Sequence, residues 1–411
     1  MRIIVTGLVG QYAFGGVAWD YLQFVEGFRR LGHDVFYLED TEMWPYDPIQ
    51  NTVSNDCRYN VKYLGNVMEK FGLADRWIYR NAPDGSYHGR TEVEAKGICA
   101  TADVFLNVSG CGWLRPEYLR IPKKIFLDSD PMFTQVALVS GKQDVIDRIR
   151  AHDFHFTFAE NINARDCRIP AAGFRWIPTR QPIVLEWWDA PLIRSASAPK
   201  GVGARLVRRS SKSGGERTSE SSPRDVFTTV MNWVSYTGCE YDGETWGQKD
   251  VEFMKFIDLP EKTTQPFEIA MGMGPGMKRP TDLLQKKGWQ IIEPSEHLPD
   301  PWKYRDYLCR SKGEWSVAKE GYVKSHSGWF SCRSACYLAL GRPCVLQDTA
   351  WSAHYPTGHG LFAFRTMEEA TAGIDAINAD YAAHSRAARQ LAERMFDART
   401  VLGQMLEQVD T

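Results

Sequence analysis

Strand and helix signals alternate twice along this chain, once from residue 2 and again from residue 226. The apolar run Arg2–Thr6 predicts a strand, residues 17–31 carry large apolar side chains at helical spacing, and residues 34–38 predict a second strand. A βαβ order of this kind joins parallel strands. Because the alternation restarts over 226–234, we predict an α/β protein with two Rossmann-like, doubly wound domains facing a central cleft.

A polar segment separates the two alternating halves. Residues 195–223 are rich in Ser, Gly, Lys and Arg and contain few apolar side chains. Such a composition cannot bury enough surface to order itself, so we predict a flexible linker or insertion there. The predicted domains are therefore 1–194 and 224–375, and residues 376–411 are expected to form terminal helices.

Composition restricts the partners of the chain. The net charge of the 411 residues is −2, which gives no global field for nucleic acid or an anionic membrane. No apolar run approaches the roughly 18 residues of a membrane span, and Met1 leads into a strand without a secretory signal. Nine cysteines without metal-ligand spacing indicate reduced thiols. We expect a cytoplasmic monomer or homodimer that binds a small molecule, with no nucleic-acid partner and no integral membrane span.

Residues 314–349 contain the parts of an anion site. They predict a strand, a His-Ser-Gly-Trp turn, a helix beginning near residues 329–331, a Gly-Arg-Pro break and a second strand. The first N–H groups of a helix lack intrahelical partners, and the helix dipole favours an anion there. Ser327 and Ser331 add hydroxyls, and His326, Arg333 and Lys319 add cations. The alternative is that Ser327 only caps the helix and that the basic side chains form a solvated face.

The same segment resembles the donor-binding box of GT-B glycosyltransferases, especially inverting enzymes of the UDP-glycosyltransferase type. The resemblance rests on His326-Ser327-Gly328-Trp329-Phe330-Ser331, on Gly341-Arg342-Pro343 and on Gln347-Asp348-Thr349. It implies a donor diphosphate bound by His326, Ser327, Gly328, Trp329, Ser331, Arg333, Lys319 and Lys249, and a donor sugar bound by Asp348 and Thr349.

The resemblance also implies the roles of the two domains. The first would bind the acceptor, the second would bind a UDP- or dTDP-sugar, and the terminal helices would pack back towards the first domain. It further implies an enzyme of natural-product or glycan biosynthesis that uses no cofactor and no metal. Retaining members often carry two glutamates eight residues apart, and the corresponding positions here are Gly328 and Cys336. We therefore predict inversion at the anomeric carbon.

An inverting transfer needs a general base that takes the acceptor proton. Asp128-Ser129-Asp130 follows a predicted strand at 125–127, and the carboxyl ends of parallel strands face the ligand. We favour Asp130, then Asp128, then Asp20 in the first predicted helix. The alternative for Asp-Ser-Asp is a turn in which an Asp caps a backbone amide.

Three further residues are assigned to the cleft on weaker patterns. Gly15 and Gly16 form a glycine loop ahead of the first helix, and Trp315 would stack on the nucleobase unless it is a core residue.

Two rival functions remain open at this point. One is a nucleotide-sugar or glycan-binding protein of the same fold that does not catalyse transfer. The other is an NAD-dependent sugar-nucleotide epimerase or reductase, suggested by the glycines at positions 7 and 10 and by Asp40 after the second strand. Those enzymes depend on a Tyr and a Lys four residues apart, and none of the 17 tyrosines here has a Lys at that offset.

Overall fold

The computed structural model describes residues 1–50, 52–189, 223–274 and 277–409. They form two parallel β-sheets, each covered by helices, and this confirms the predicted α/β class. The predicted linker 195–223 lies outside the described residues except for Pro223. The domain boundaries stay predictions. No helix in these four ranges is long and apolar enough to cross a membrane.

The first half contains an eight-stranded sheet of order β10-β9-β8-β7-β1-β2-β5-β6, in which only the β5–β6 pair is antiparallel. A small hairpin, β3–β4, lies apart from it. The strands of the first half are β1 (Arg2–Thr6), β2 (Asp34–Glu39), β3 (Tyr46–Asp47), β4 (Thr52–Val53), β5 (Trp77–Arg80), β6 (Tyr87–His88), β7 (Val104–Val108), β8 (Lys123–Asp128), β9 (Phe154–Thr157) and β10 (Trp176–Pro178). Its helices are α1 (Gly15–Arg30), α2 (Arg58–Lys70), α3 (Glu92–Ala100), α4 (Pro116–Leu119), α5 (Phe133–Val139) and α6 (Gln143–Arg150), with a 3-10 turn at Leu185–Trp188.

The second half contains a six-stranded, fully parallel sheet of order β15-β14-β11-β16-β17-β18 and a hairpin, β12–β13. Its strands are β11 (Phe227–Asn232), β12 (Cys239–Tyr241), β13 (Glu244–Trp246), β14 (Phe267–Gly272), β15 (Gln290–Ile292), β16 (Gly313–Ser316), β17 (Cys344–Gln347) and β18 (Leu361–Phe364). Its helices are α7 (Lys249–Met254), α8 (Leu259–Lys262), α9 (Thr281–Lys286), α10 (Pro294–His297), α11 (Pro301–Arg310), α12 (Glu320–Lys324), α13 (Cys332–Ala339), α14 (Met367–Ala379), α15 (Tyr381–Met395) and α16 (Ala398–Val409), with a 3-10 turn at Trp351–Ala353.

Both sheets bury their two faces under helices, as a doubly wound sheet requires. In the first sheet Ile3 and Val5 pack with α1, α2 and α16, whereas Ile4 points to the opposite face and packs with α3 and α4. In the second sheet Ile269 packs with α7 and α14, whereas Ala270 packs with α11, α13 and α15. Successive strand residues point to opposite faces, and both faces are apolar layers. The strands therefore appear in the sequence as continuous hydrophobic runs.

The two halves contact each other along several elements. The last helix, α16, packs on α1, where the side chain of Leu402 approaches Gly27 so closely that an added Cβ would lie 2.5 Å away. Trp19 of α1 donates from Nε1 to the carbonyl of Pro301 in α11 at 3.1 Å. Trp329, from the second half, donates to the carbonyl of Ser129 at 3.2 Å. The carboxyl edges of the two sheets therefore face each other across the cleft.

Candidate functional site

A small cavity that opens to solvent lies at the carboxyl edge of the second sheet. It is formed by the end of β16 with the residues after it, the turn before α13 with the N-terminus of that helix, the end of β17, and the 3-10 turn at Trp351–Ala353. The lining residues are Ser316, Val317, Ala318, Trp329, Phe330, Ser331, Arg333, Ser334, Leu346, Gln347 and Trp351. This edge is where open parallel sheets bind ligands.

The turn before α13 is held from both sides. The hydroxyl of Ser327 donates to Tyr322 O at 3.2 Å and accepts from the N–H of Trp329 at 3.1 Å. Gly328 has φ +75° and donates to Thr349 O at 2.7 Å. A Cβ on Gly328 would lie 2.5 Å from the backbone nitrogen of Asn161, so the close approach of the first half requires glycine. Ser327 and Gly328 thus build the turn.

The N-terminus of α13 presents free donors to the cavity. Ser331 is the N-cap residue, and its side chain does not cap the helix. Within the described residues its hydroxyl has no hydrogen-bond partner. Because the first N–H groups of a helix have no intrahelical acceptor, this end favours an anion.

Lys249 is the uncommitted cation beside this helix end. It begins α7, it is half-buried, and its ammonium makes no hydrogen bond or ion pair within the described part of the chain. Burial lowers its pKa well below the ordinary lysine value, and the charges of Arg333 and Lys319 lower the pKa further. An anion placed here would therefore relieve an unfavourable electrostatic environment.

Arg333 and Lys319 are already engaged. The guanidinium of Arg333 donates to Val230 O at 2.7 Å and to Ser316 Oγ at 2.8 Å, and it pairs with the fully buried carboxylate of Glu314. The ammonium of Lys319 lies 2.8 Å from Asp130 Oδ1. Arg333 contributes positive potential to the cavity, whereas the predicted diphosphate contact of Lys319 is replaced by an ion pair.

The two aspartates predicted as catalytic are both occupied by hydrogen-bond donors. Asp128 is 1 % exposed and accepts from Thr134 at 2.7 Å, Gln135 at 2.8 Å, Thr157 at 2.9 Å and the N–H of Asp130 at 3.1 Å. Burial raises its pKa despite these donors. Asp130 accepts from Lys319 and from the hydroxyls of two tyrosines in the second half. Asp128 therefore anchors the loop after β8, which is the capping alternative stated above, and Asp130 joins the two halves.

The predicted sugar-binding pair is buried behind the cavity. The Asp348 side chain is fully buried, and it accepts from Ser352 Oγ at 2.7 Å and pairs with Arg365. The hydroxyl of Thr349 donates to Trp329 O at 2.8 Å. These contacts connect the end of β17 to the turn before α13, so neither side chain is open to a sugar hydroxyl in this structure.

His326 and the Gly15-Gly16 pair lie where the halves touch. The imidazole of His326 is half exposed, and its Nδ1 lies 3.2 Å from Asp166 of the first half. A Cβ on Gly15 would overlap the carbonyl oxygen of Asp300, and one on Gly16 would lie 3.0 Å from the ring of Tyr304. The glycines allow α1 to approach α11. Both features lie at the contact between the halves, and their predicted ligand contacts stay predictions.

Trp315 is a core residue, so its assignment to the nucleobase is corrected. It is 1 % exposed and its ring stacks on Phe364 at 5.5 Å, with Phe253 and Trp289 against its other sides at 5.6 and 5.1 Å. No face of the indole is open to a base.

The dinucleotide alternative is inconsistent with the loop after β1. The N–H of Gly10 donates to Glu39 at 2.8 Å, so this backbone donor is not free for a phosphate. Asp40 is 1 % exposed and is paired with Arg115 and Tyr118, so it cannot bind a ribose.

Asp20, the third candidate base from the sequence, has the more suitable environment in the structure. Its side chain projects from α1, is exposed, and lies beside the Cys332 thiol and the Arg333 guanidinium at the start of α13. The protein packed around the carboxylate desolvates it and raises its pKa to about 6, although the side chain keeps access to solvent; Cys332 and Arg333 act in the opposite direction. No local pattern signals this proximity, because more than 300 residues separate Asp20 from α13.

Comparison with solved structures identifies the architecture. Anabaena HepE in complex with UDP and glucose is similar over 100% of this chain and 99% of its own, with a TM-score of 0.55 and 11% identity. AviGT4, a glycosyltransferase involved in avilamycin A biosynthesis, is similar over 100% and 97%, with a TM-score of 0.51 and 12% identity. The chain has the GT-B glycosyltransferase fold.

Other GT-B structures give the same result. An alpha-glucosyltransferase in complex with UDP and a 13-mer DNA containing an HMU base is similar over 100% of this chain and 99% of its own, with a TM-score of 0.54 and 10% identity. No protein-family model and no curated protein matches the chain. The GT-B likeness is therefore one of fold.

Proposed function

We propose that this GT-B protein is a glycosyltransferase that moves a sugar from a nucleoside-diphosphate sugar to a small-molecule or glycan acceptor. The observation that carries the proposal is the N-terminus of α13, which opens on a cavity beside Ser331 and the unpaired Lys249. Helix N–H groups, a hydroxyl and an ammonium are the donors that a diphosphate requires. The complexes of HepE and the alpha-glucosyltransferase with UDP support the same ligand class.

We further propose that the transfer needs no metal ion. A leaving nucleoside diphosphate carries negative charge, which Lys249, the α13 dipole and the nearby Arg333 together stabilise. The N-terminus of α13 and the hydrogen-bonded Arg333 are fixed in place, so they require little reorganisation when charge develops.

We assign the general base of an inverting transfer to Asp20. The acceptor hydroxyl attacks the anomeric carbon while Asp20 takes its proton, the glycosidic bond forms, and the bond to the nucleoside diphosphate breaks with its electron pair on the departing oxygen. Asp20 belongs to the first half and lies beside α13, so a base and a diphosphate site face each other. A pKa of about 6 leaves the carboxylate mostly ionised at pH 7.

Donor hydrolysis distinguishes an enzyme from a binding protein of the same fold. We expect the protein to release free sugar slowly from at least one member of a panel of UDP-, dTDP- and GDP-sugars, with water in place of the acceptor. Product formation is followed by anion-exchange chromatography of the nucleotide. Nucleotide binding without turnover of any donor, also with acceptor extracts present, would favour the non-catalytic alternative.

The cytoplasmic location and the oligomeric state stay predictions.

A further inference from the structure

A second cluster at the cleft is distinct from the cavity and centres on Lys319. Its members are Asp130 and Phe133 from the first half, and Tyr236, Lys319 and Tyr322 from the second. Lys319 Nζ lies 2.8 Å from Asp130 Oδ1 and 2.8 Å from the hydroxyl of Tyr236. The hydroxyls of Tyr236 and Tyr322 both donate to Asp130. Every polar group of the cluster thus has a partner within it.

Three aromatic rings surround the Lys319 ammonium. The nitrogen lies 4.4 Å from the ring centre of Tyr236, 5.0 Å from that of Phe133 and 5.2 Å from that of Tyr322. Distances within about 6 Å permit cation–π attraction, which strengthens when the cation is desolvated. The Lys319 side chain is 12% exposed, so water and salt screen this cation less than one in a surface salt bridge.

The cluster connects the carboxyl edges of the two sheets. Asp130 follows β8, and Lys319 follows the residues after β16 that line the donor cavity. Gly321, on the next turn, approaches Phe133 so closely that a Cβ would lie 2.6 Å from the ring. A cavity wall is therefore tied to the first half at the point where the proposed acceptor and donor must meet.

We propose that Asp130 and Lys319 form an inter-half lock that positions the donor cavity against the first half, and that they are positioning residues. Only the predicted effect of the lock on turnover rests on the proposed function. Its effect on the protein itself does not depend on any substrate, so failure of the lock and failure of the proposed function are distinguishable.

Hydrogen exchange of the whole chain tests the lock without ligand. In Asp130→Asn and in Lys319→Met, we expect amides of 128–139 and of 313–325 to exchange about 10-fold faster, because the contact between the halves is weakened. Tyr236→Phe keeps the ring and loses one hydroxyl, so it should give a smaller increase in the same segments. Lys319→Arg retains a cation and provides a folded variant if Lys319→Met is unstable.

Lys312→Met is the matched control. Lys312 is 16% exposed, which is close to the exposure of Lys319, but its ammonium pairs with Asp225 and Gln265 of its own half. Its removal should leave the exchange of 128–139 unchanged. With UDP as the probe, the lock variants should bind within about 3-fold of the parent protein while turnover falls about 10-fold.

Two results would overturn the lock. One is unchanged exchange of 128–139 in both Asp130→Asn and Lys319→Met. The other is a loss of UDP affinity of 10-fold or more in Lys319→Met with exchange unchanged, which would make Lys319 a diphosphate ligand. If UDP binds neither to the parent protein nor to any variant, the proposed function fails. The hydrogen-exchange result still shows whether Asp130 and Lys319 hold the two halves together.

Discussion

We expect Asp20→Asn to lower turnover by about 10²- to 10⁴-fold, the range that general base catalysis contributes, and to leave UDP affinity within about 3-fold of the parent protein. The amide cannot take the acceptor proton, whereas the diphosphate donors on α13 and α7 are unaffected. Steady-state kinetics with donor and acceptor give the first quantity, and calorimetric titration with UDP gives the second.

The pH profile identifies Asp20 more specifically than the loss of turnover. Its pKa is raised to about 6, and a base must be ionised to act, so kcat/KM should fall about tenfold per pH unit below pH 6 and level off above it. The residual activity of Asp20→Asn should lack this limb. Asp130→Asn should keep it, because the proposed role of Asp130 is positional.

Glu26→Gln provides a control on the same helix. Glu26 pairs with Arg29 at 2.8 Å and Arg30 at 2.9 Å within α1, so its loss should leave turnover unchanged. Full turnover in Asp20→Asn, or loss of the acid limb in Asp130→Asn, would return the base to Asp130.

We expect Lys249→Met to raise the dissociation constant for UDP by about 10- to 100-fold, because a hydrogen bond to a charged group contributes about 1.5–3 kcal/mol. The comparable variant Lys255→Met should bind UDP as the parent protein does, since Lys255 is paired with Glu252 and more than half exposed. Calorimetry of the two variants gives the comparison.

The lowered pKa of Lys249 adds a pH dependence of known sign. A lysine with a lowered pKa loses its proton at a lower pH than usual, and UDP binds the charged form better. UDP affinity should therefore fall as pH rises through the range below the ordinary lysine pKa of about 10.4, and binding should take up protons. The variant Lys249→Arg keeps its charge over this range and should bind UDP with a flat pH profile. Equal profiles for the parent protein and this variant would remove Lys249 from the site.

The fold could be predicted from the sequence because the local strand and helix patterns agree with the overall order of an α/β protein. The runs at β1, β2, β7 and β14 are apolar on both faces, as strands of buried parallel sheets must be. Short strands were missed, among them β9 and β18, because four residues show no period that separates a strand from a loop. The start of α1 lies at Gly15 instead of residue 17, since the extended Phe14 precedes it directly.

The site was predictable only where its parts are local. The turn, the α13 N-terminus and Ser331 belong to one short segment, and the structure brings them to one cavity. Contacts between distant segments could not be predicted from local sequence patterns. Lys319 and Asp130 are 189 residues apart along the chain, and the structure pairs them with each other. Trp315 is a residue type that can stack on a nucleobase, but the rings around it are those of the hydrophobic core.

A crystal structure of the protein with UDP bound would show where the donor diphosphate binds. We expect the diphosphate at the N-terminus of α13, within hydrogen-bond distance of Lys249 Nζ and Ser331 Oγ, with the pair between Asp130 and Lys319 intact. A diphosphate bound elsewhere, whether at the loop between β1 and α1 or on Lys319 with that pair broken, would exclude the proposed donor site.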